Sequence, residues 1–147
     1  MRVKISAGSR VCLGITLMVG TVLAHHSFEA EFDGSKLVLL KGTLTKLEWQ
    51  NPHGFFYVDV KDDTGKVTNW TVEIASPNVL RRYDEQMRER FLQNIGKPLS
   101  ATASPAKNGT SRAAAEDVKF QDGRVSAMGS KRYFGDLDPV KVLEGAK

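Results

Sequence analysis

Three histidines, His25, His26 and His53, carry most of the chemistry that this sequence offers. If a peptidase cleaves the chain after Ala24, His25 becomes the first residue and gains a free α-amine beside its imidazole. These two nitrogens form a chelate, and a third nitrogen completes a set that suits Cu(II), then Ni(II) and Zn(II). Adjacent residues of an extended arm point to opposite sides, so His53 is a better third donor than His26, which acts in support. The histidines therefore indicate a metal site, with copper as the first candidate.

A second interpretation of the histidines needs no metal. Chain termini are usually disordered unless something holds them, so His25 and His26 would be solvated while His53 bonds backbone in its turn. The spacing is also weaker than a paired Cys-x-x-Cys signature. In favour of the metal, the cleavage rule places a histidine first, and Glu29 or Glu48 could add an oxygen ligand.

The first 24 residues predict an export signal. Three basic residues lie within the first ten, an apolar run covers 11–19, and Val22 and Ala24 suit the minus-three and minus-one positions of signal peptidase. The run is shorter than the roughly 20 residues of a membrane-spanning helix, which favours a cleaved signal over an uncleaved anchor. We therefore expect a periplasmic or secreted protein without a stable membrane span after cleavage.

Export also changes what the composition implies. The signal would remove three of the 21 basic residues, none of the 17 acidic ones and the single cysteine, Cys12, leaving a nearly neutral chain without thiols. A near-neutral chain lacks the charge that phosphate neutralisation requires, so nucleic acid is not an expected partner. Disulfides and cysteine-based metal sites are excluded for the mature chain. Because no serine has the flanking glycines of a nucleophile elbow either, no enzyme activity is predicted.

Residues 36–129 predict one mainly β domain. Strand-like alternation marks six segments: 36–49, 55–61, 67–74, 99–106, 113–120 and 124–128. Between the third and fourth, residues 78–95 repeat apolar side chains at helical spacing. This order is typical of a small five- to six-stranded antiparallel Greek-key barrel of the oligonucleotide/oligosaccharide-binding (OB) type, with one helix between strands 3 and 4. An open antiparallel sheet with one helix is the alternative.

The predicted domain has an arm and a tail. Residues 25–35 are expected to form an extended N-terminal arm with Phe28 and Phe32 facing inward, and residues 130–147 a loosely ordered tail. The apolar positions of the strands and the helix predict a core of Val38, Leu40, Leu44, Phe56, Val58, Val60, Val72, Ile74, Leu80, Met87, Phe91 and Ile95.

A second candidate function is a non-catalytic protein- or glycan-interaction module of the bacterial envelope. Trp49 and Trp70 could offer flat surfaces to a ligand, with Asn51 beside them in the loop, although alternation places half of the aromatic residues in the core. Arg81 and Arg82 could hold an acidic partner, although interleaved acidic residues are also typical of a solvated helix face. If the function is metal binding, it should require the processed N-terminus. Binding of a protein or glycan through an interaction surface should not require it.

Several segments have a distinctive sequence: 25–33 (HHSFEAEFD), 40–49 (LKGTLTKLEW), 51–53 (NPH), 65–70 (GKVTNW) and 76–82 (SPNVLRR). Together they resemble an uncharacterised family of exported bacterial proteins, a domain of unknown function. The resemblance covers residues 25 to about 124 and implies export and an envelope setting, but no activity. The charged segment 83–94 and the tail after residue 129 depart from the family pattern.

Overall fold

The computed structural model describes residues 27–129 and 139–145. The predicted signal, His25 and His26 lie outside these residues. No helix within the described part of the chain is long and apolar enough to span a membrane.

Six strands and four short helices follow one another along the described chain. They are α1 (Ser27–Glu31), β1 (Val38–Glu48), β2 (Gly54–Lys61), β3 (Val67–Ile74), α2 (Pro77–Tyr83), α3 (Met87–Gln93), β4 (Pro98–Pro105), β5 (Arg112–Lys119), β6 (Val125–Ala127) and α4 (Pro139–Gly145). The protein is therefore mainly β, as its alternating segments predict.

The first five strands close into a barrel in the order β3-β2-β1-β4-β5. The short strand β6 pairs antiparallel with the end of β5. The prediction of a wholly antiparallel barrel is wrong at the closure, where residues 71–73 of β3 pair in parallel with residues 112–114 of β5. The reason is geometric, because strand directions cannot alternate all the way around a ring with an odd number of strands. One parallel pair must close it.

Strand β1 is shared by both halves of the barrel. Its Gly42 pairs with Val60 of β2 on one side and with Leu99 of β4 on the other. A Cβ at Gly42 would lie 2.1 Å from the carbonyl oxygen of Asp59, so only glycine permits this close approach. The β1–β2 register shift lies further along, between Leu44 and Lys46.

Most of the predicted core is confirmed. Nine predicted residues are buried: Leu40, Leu44, Phe56, Val58, Val72, Ile74, Leu80, Met87 and Phe91. Val38 and Val60 are partly buried and pack against this cluster. The prediction is wrong for Ile95, which is 43% exposed, because α3 ends at Gln93 and the helical spacing does not continue to Ile95.

The segment between β3 and β4 forms two short helices, not the predicted single one. The chain breaks at Asp84, whose backbone is extended (φ −152°, ψ 108°). The Asp84 carboxylate accepts hydrogen bonds from the Gln86 backbone N–H (2.9 Å) and from Arg90 Nη2 (2.5 Å). Aspartate competes in this way with helical hydrogen bonding, which ends α2 and starts α3 after a turn.

The N-terminal arm packs on the outside of the barrel. Phe32 is 1% exposed and forms a small second cluster with Ala106, Ala114 and the partly buried Phe28. The expectation of an extended arm is wrong, because α1 brings Phe28 and Phe32 onto one helical face, with ring centroids 5.2 Å apart.

The described part of the predicted loose tail also packs against the barrel. Helix α4 contacts β4 and β5. Its Leu143 is fully buried, and Lys119 Nζ donates a hydrogen bond to the Leu143 carbonyl at 3.1 Å.

Candidate functional site

His53 lies in ion-pair contact with a carboxylate on the outer face of the barrel. It directly precedes Gly54, which pairs with Ile74, so its ring lies beside Glu73 of β3. The distance between His53 Nδ1 and Glu73 Oε1 is 2.8 Å. Val72 and Ile74 are buried inside the barrel, and strand alternation therefore turns Glu73 outward. The His53 side chain is 48% exposed and that of Glu73 19%.

This contact determines what the imidazole can do. An ionised Glu73 favours a proton on Nδ1, and the tautomer with Nδ1–H leaves the lone pair on Nε2. A carboxylate bound to the second nitrogen of a histidine is the arrangement that orients metal-ligating imidazoles and raises their basicity. His53 is therefore prepared to donate through Nε2.

Two further charged groups connect this pair to the arm. The parallel β3–β5 pairing places Arg112 opposite Thr71 and Ala114 opposite Glu73. Arg112 forms an ion pair with Glu31, the last residue of α1. The backbone N–H of Lys107 also donates to the Glu31 carbonyl at 2.9 Å. The end of the arm is thus held beside the His53–Glu73 pair.

The pKa of Glu73 reflects these neighbours. Burial raises it above the ordinary 4.5; the positive charges of His53 and Arg112 lower it, and the carboxylate of Glu31 raises it. A carboxyl whose folded pKa exceeds its unfolded pKa contributes its full stability below the unfolded value. That contribution is lost as the pH rises through the folded pKa.

We expect the Glu73 carboxyl to titrate above pH 4.5 in carbon-detected NMR. His53→Ala should raise its midpoint further because it removes a positive neighbour, whereas Glu31→Gln should lower it because it removes a negative one. Asp63, on the distant β2–β3 turn, provides the control, and Asp63→Asn should leave the midpoint unchanged. A Glu73 midpoint below 4.5, or shifts of the opposite sign, would contradict this assignment.

The other predicted site residues lie on several elements of the structure. Trp49 and Trp70 are partly buried and pack against the barrel core, which agrees with the core interpretation of these aromatic residues. Asn51 is exposed in the loop that carries His53. Arg81 and Arg82 are exposed on α2.

The carboxylate in contact with His53 is not that of Glu48, one of the two oxygen ligands considered for the metal. Lys46 Nζ donates a hydrogen bond to Glu48 Oε1 at 2.5 Å, and this hydrogen bond lowers the pKa of Glu48. The carboxylate beside His53 is Glu73, twenty residues later. Strand alternation marks Glu73 as outward-facing, but only the β2–β3 register places it next to His53.

The described residues do not complete a metal site by themselves. Within 27–129 and 139–145, no group of three or more His, Cys, Asp or Glu side chains could hold a metal ion. The predicted partners of His53, which are His25 and His26, lie outside these ranges.

Comparison with known proteins identifies the family but not an activity. No curated protein and no solved structure matches the chain. The model of one protein family, described as a family of unknown function (DUF6152), matches residues 14–115, which is more than half of the chain. The protein therefore belongs to DUF6152, an uncharacterised family, in agreement with the resemblance of its sequence motifs.

Proposed function

We propose that the protein is exported, cleaved after Ala24, and binds one divalent metal ion per chain without catalysing a reaction, with Cu(II) as the preferred ion. The ligands are the His25 amine and imidazole and His53 Nε2, with His26 in support. The observation that carries the proposal is the 2.8 Å contact between His53 Nδ1 and Glu73, which prepares Nε2 as a ligand.

The anchoring of the arm on the barrel supports a metal site that is shared by His25 and His53. Phe32 is buried against the barrel, and Glu31 pairs with Arg112 beside Glu73. From Glu31, the helical rise of about 1.5 Å per residue through α1 and about 3.5 Å for each of two more residues allow His25 to lie up to about 13 Å away. This short connection allows His25 to approach His53.

Electrostatics also favour a cation at this position. Burial disfavours the ionised form of Glu73. A metal ion on Nε2 would bring positive charge close to the Glu73 carboxylate and stabilise its ionised form, which in turn holds the correct tautomer of His53. Metal binding and the His53–Glu73 contact thus reinforce each other.

We also propose that the barrel is of the OB type. Its strand order, with β1 between β2 and β4 and a parallel β3–β5 pair, supports this assignment, as do the helices between β3 and β4. The loop between the first two strands is a common ligand-binding position in such barrels, and here that loop carries His53.

Copper titration of protein that starts at His25 tests the metal site. We expect one Cu(II) per chain, and at least about tenfold weaker binding for His53→Ala, the low end for loss of metal-site groups. A glycine added before His25 should weaken binding by a similar factor, because the amine no longer forms a chelate with the imidazole. Affinity should fall as the pH drops through the imidazole and amine pKa values, since protons compete for the same lone pairs.

A further variant tests whether the Glu73 carboxylate contributes to copper binding. Glu73→Gln should weaken copper binding by about 10- to 100-fold, because His53 loses the carboxylate that orients it. Lys66→Gln, on the exposed β2–β3 turn, serves as the matched control and should bind normally. Equal affinity with and without the added glycine would refute the amine chelate, and normal binding by His53→Ala would refute the shared site.

A further inference from the structure

Helix α2 presents a polar and aromatic face to solvent. The helix begins with Pro77 after Ser76, whose Oγ accepts the Val79 N–H at 3.3 Å, and it buries Pro77 and Leu80 against the protein. The remaining faces are exposed, and the Tyr83 side chain is 81% exposed. The burial of Pro77 and Leu80 thus fixes which side chains α2 offers to a partner.

We define the α2 surface as Asn78, Arg81, Arg82, Tyr83 and Glu85, which line an open concavity of about 760 Å³. Arg81 Nη2 donates to Asn78 Oδ1 at 3.0 Å. Among residues 27–129 and 139–145, the side chains of Arg82 and Tyr83 have no hydrogen bond, ion pair or ring contact. Their polar groups are therefore available to a partner.

A structural role explains only part of this surface. Basic residues in the last turn of a helix interact favourably with its dipole. That effect accounts for positive charge at Arg81 and Arg82. It does not account for an unpartnered, exposed tyrosine beside them. Tyrosine and arginine are the residue types that contribute most to binding energy at protein interfaces.

We infer that the α2 surface binds an acidic segment of a partner protein, independently of the metal site. Two guanidinium groups outnumber the single carboxylate of Glu85, which gives the concavity a positive balance. A guanidinium binds a carboxylate through two parallel hydrogen bonds, and the Tyr83 ring offers an apolar body for a neighbouring side chain. The partner segment should therefore combine glutamate or aspartate with an apolar residue.

The number of basic groups favours a protein over a membrane or a nucleic acid. Anionic lipid recognition usually uses clusters of about 4–8 Lys or Arg residues, and nucleic-acid binding often uses about 6–10 phosphate contacts. The basic residues of the α2 surface are two, Arg81 and Arg82. Two guanidinium groups match a short acidic peptide motif better than an extended anionic surface.

Fluorescence anisotropy with a labelled peptide that repeats Glu-Glu-Leu tests the inference. At about 0.15 M salt the protein should bind this peptide, and should not bind the matched peptide that repeats Gln-Gln-Leu. Arg82→Gln should weaken binding at least about tenfold because a charge-assisted hydrogen bond is lost. Tyr83→Ser should have a similar effect, and Arg124→Gln, on the exposed turn after β5, should have none.

These side chains are exposed, so unchanged thermal denaturation curves will show that each variant is folded. The inference is overturned if the wild-type protein does not bind the acidic peptide, if the glutamine peptide binds equally, or if Arg82→Gln binds normally. Binding only to vesicles that contain phosphatidylglycerol would also overturn it in favour of a lipid surface. Copper titration of Arg82→Gln should remain normal, which separates this result from the outcome for the metal site.

Discussion

Phe91→Ala is expected to lower the free energy of unfolding by about 3–5 kcal/mol, the usual range for truncating a buried phenylalanine. Phe91 is fully buried where α3 covers the barrel. Its ring centroid lies 5.5 Å from that of Phe56 on β2 and 5.1 Å from that of Phe120 after β5. Removing the ring leaves a cavity between elements from three parts of the chain. Urea unfolding measures the change.

Leu92→Ala is the matched control, because Leu92 is the next residue of α3 but is 40% exposed. We expect this variant to lose less than about 1 kcal/mol, since truncating a side chain this exposed leaves no enclosed cavity. Equal losses for the two variants would show that α3 does not cap the core in solution.

Gly42→Ala is expected to destabilise the protein by about 3 kcal/mol or more, at the upper end of overpacking effects. The new Cβ would lie 2.1 Å from the Asp59 carbonyl oxygen and 2.9 Å from Val58 Cγ2. The first of these atoms belongs to the backbone and cannot rotate away. The β1–β2 pairing must therefore open, although β1 also pairs with β4 at this residue. Urea or thermal unfolding measures the effect.

Thr43→Ala provides the comparison for Gly42→Ala. Thr43 is the neighbouring residue of β1, is exposed, and already carries a Cβ. Its substitution should change the free energy of unfolding by no more than about 0.5 kcal/mol, as is usual for surface positions. If Gly42→Ala is equally mild, β1 and β2 do not approach each other as closely as the structure indicates.

Local sequence pattern was enough to predict the strands and much of the core. In β2, alternation correctly separates buried Phe56 and Val58 from the half-exposed Phe55 and Tyr57, because successive side chains of a strand point to opposite faces. The same pattern misses Ala101, Ala103, Ala113 and Ala115, which are buried in the barrel. Alanine is a weak apolar signal by itself, and its burial depends on larger side chains such as Phe91 across the interior.

The sequence by itself determined which groups are available for chemistry: three histidines, one of which follows a predicted cleavage site, and a single cysteine, Cys12, within the predicted signal. Only the tertiary structure decided their neighbours. Glu73 meets His53 through the β2–β3 register, and Arg112 meets Glu31 through the arm and the parallel closure of the barrel. These contacts join residues far apart in the chain. Local patterns reveal the direction of a side chain within its own strand, whereas its partner depends on how strands pair across the barrel.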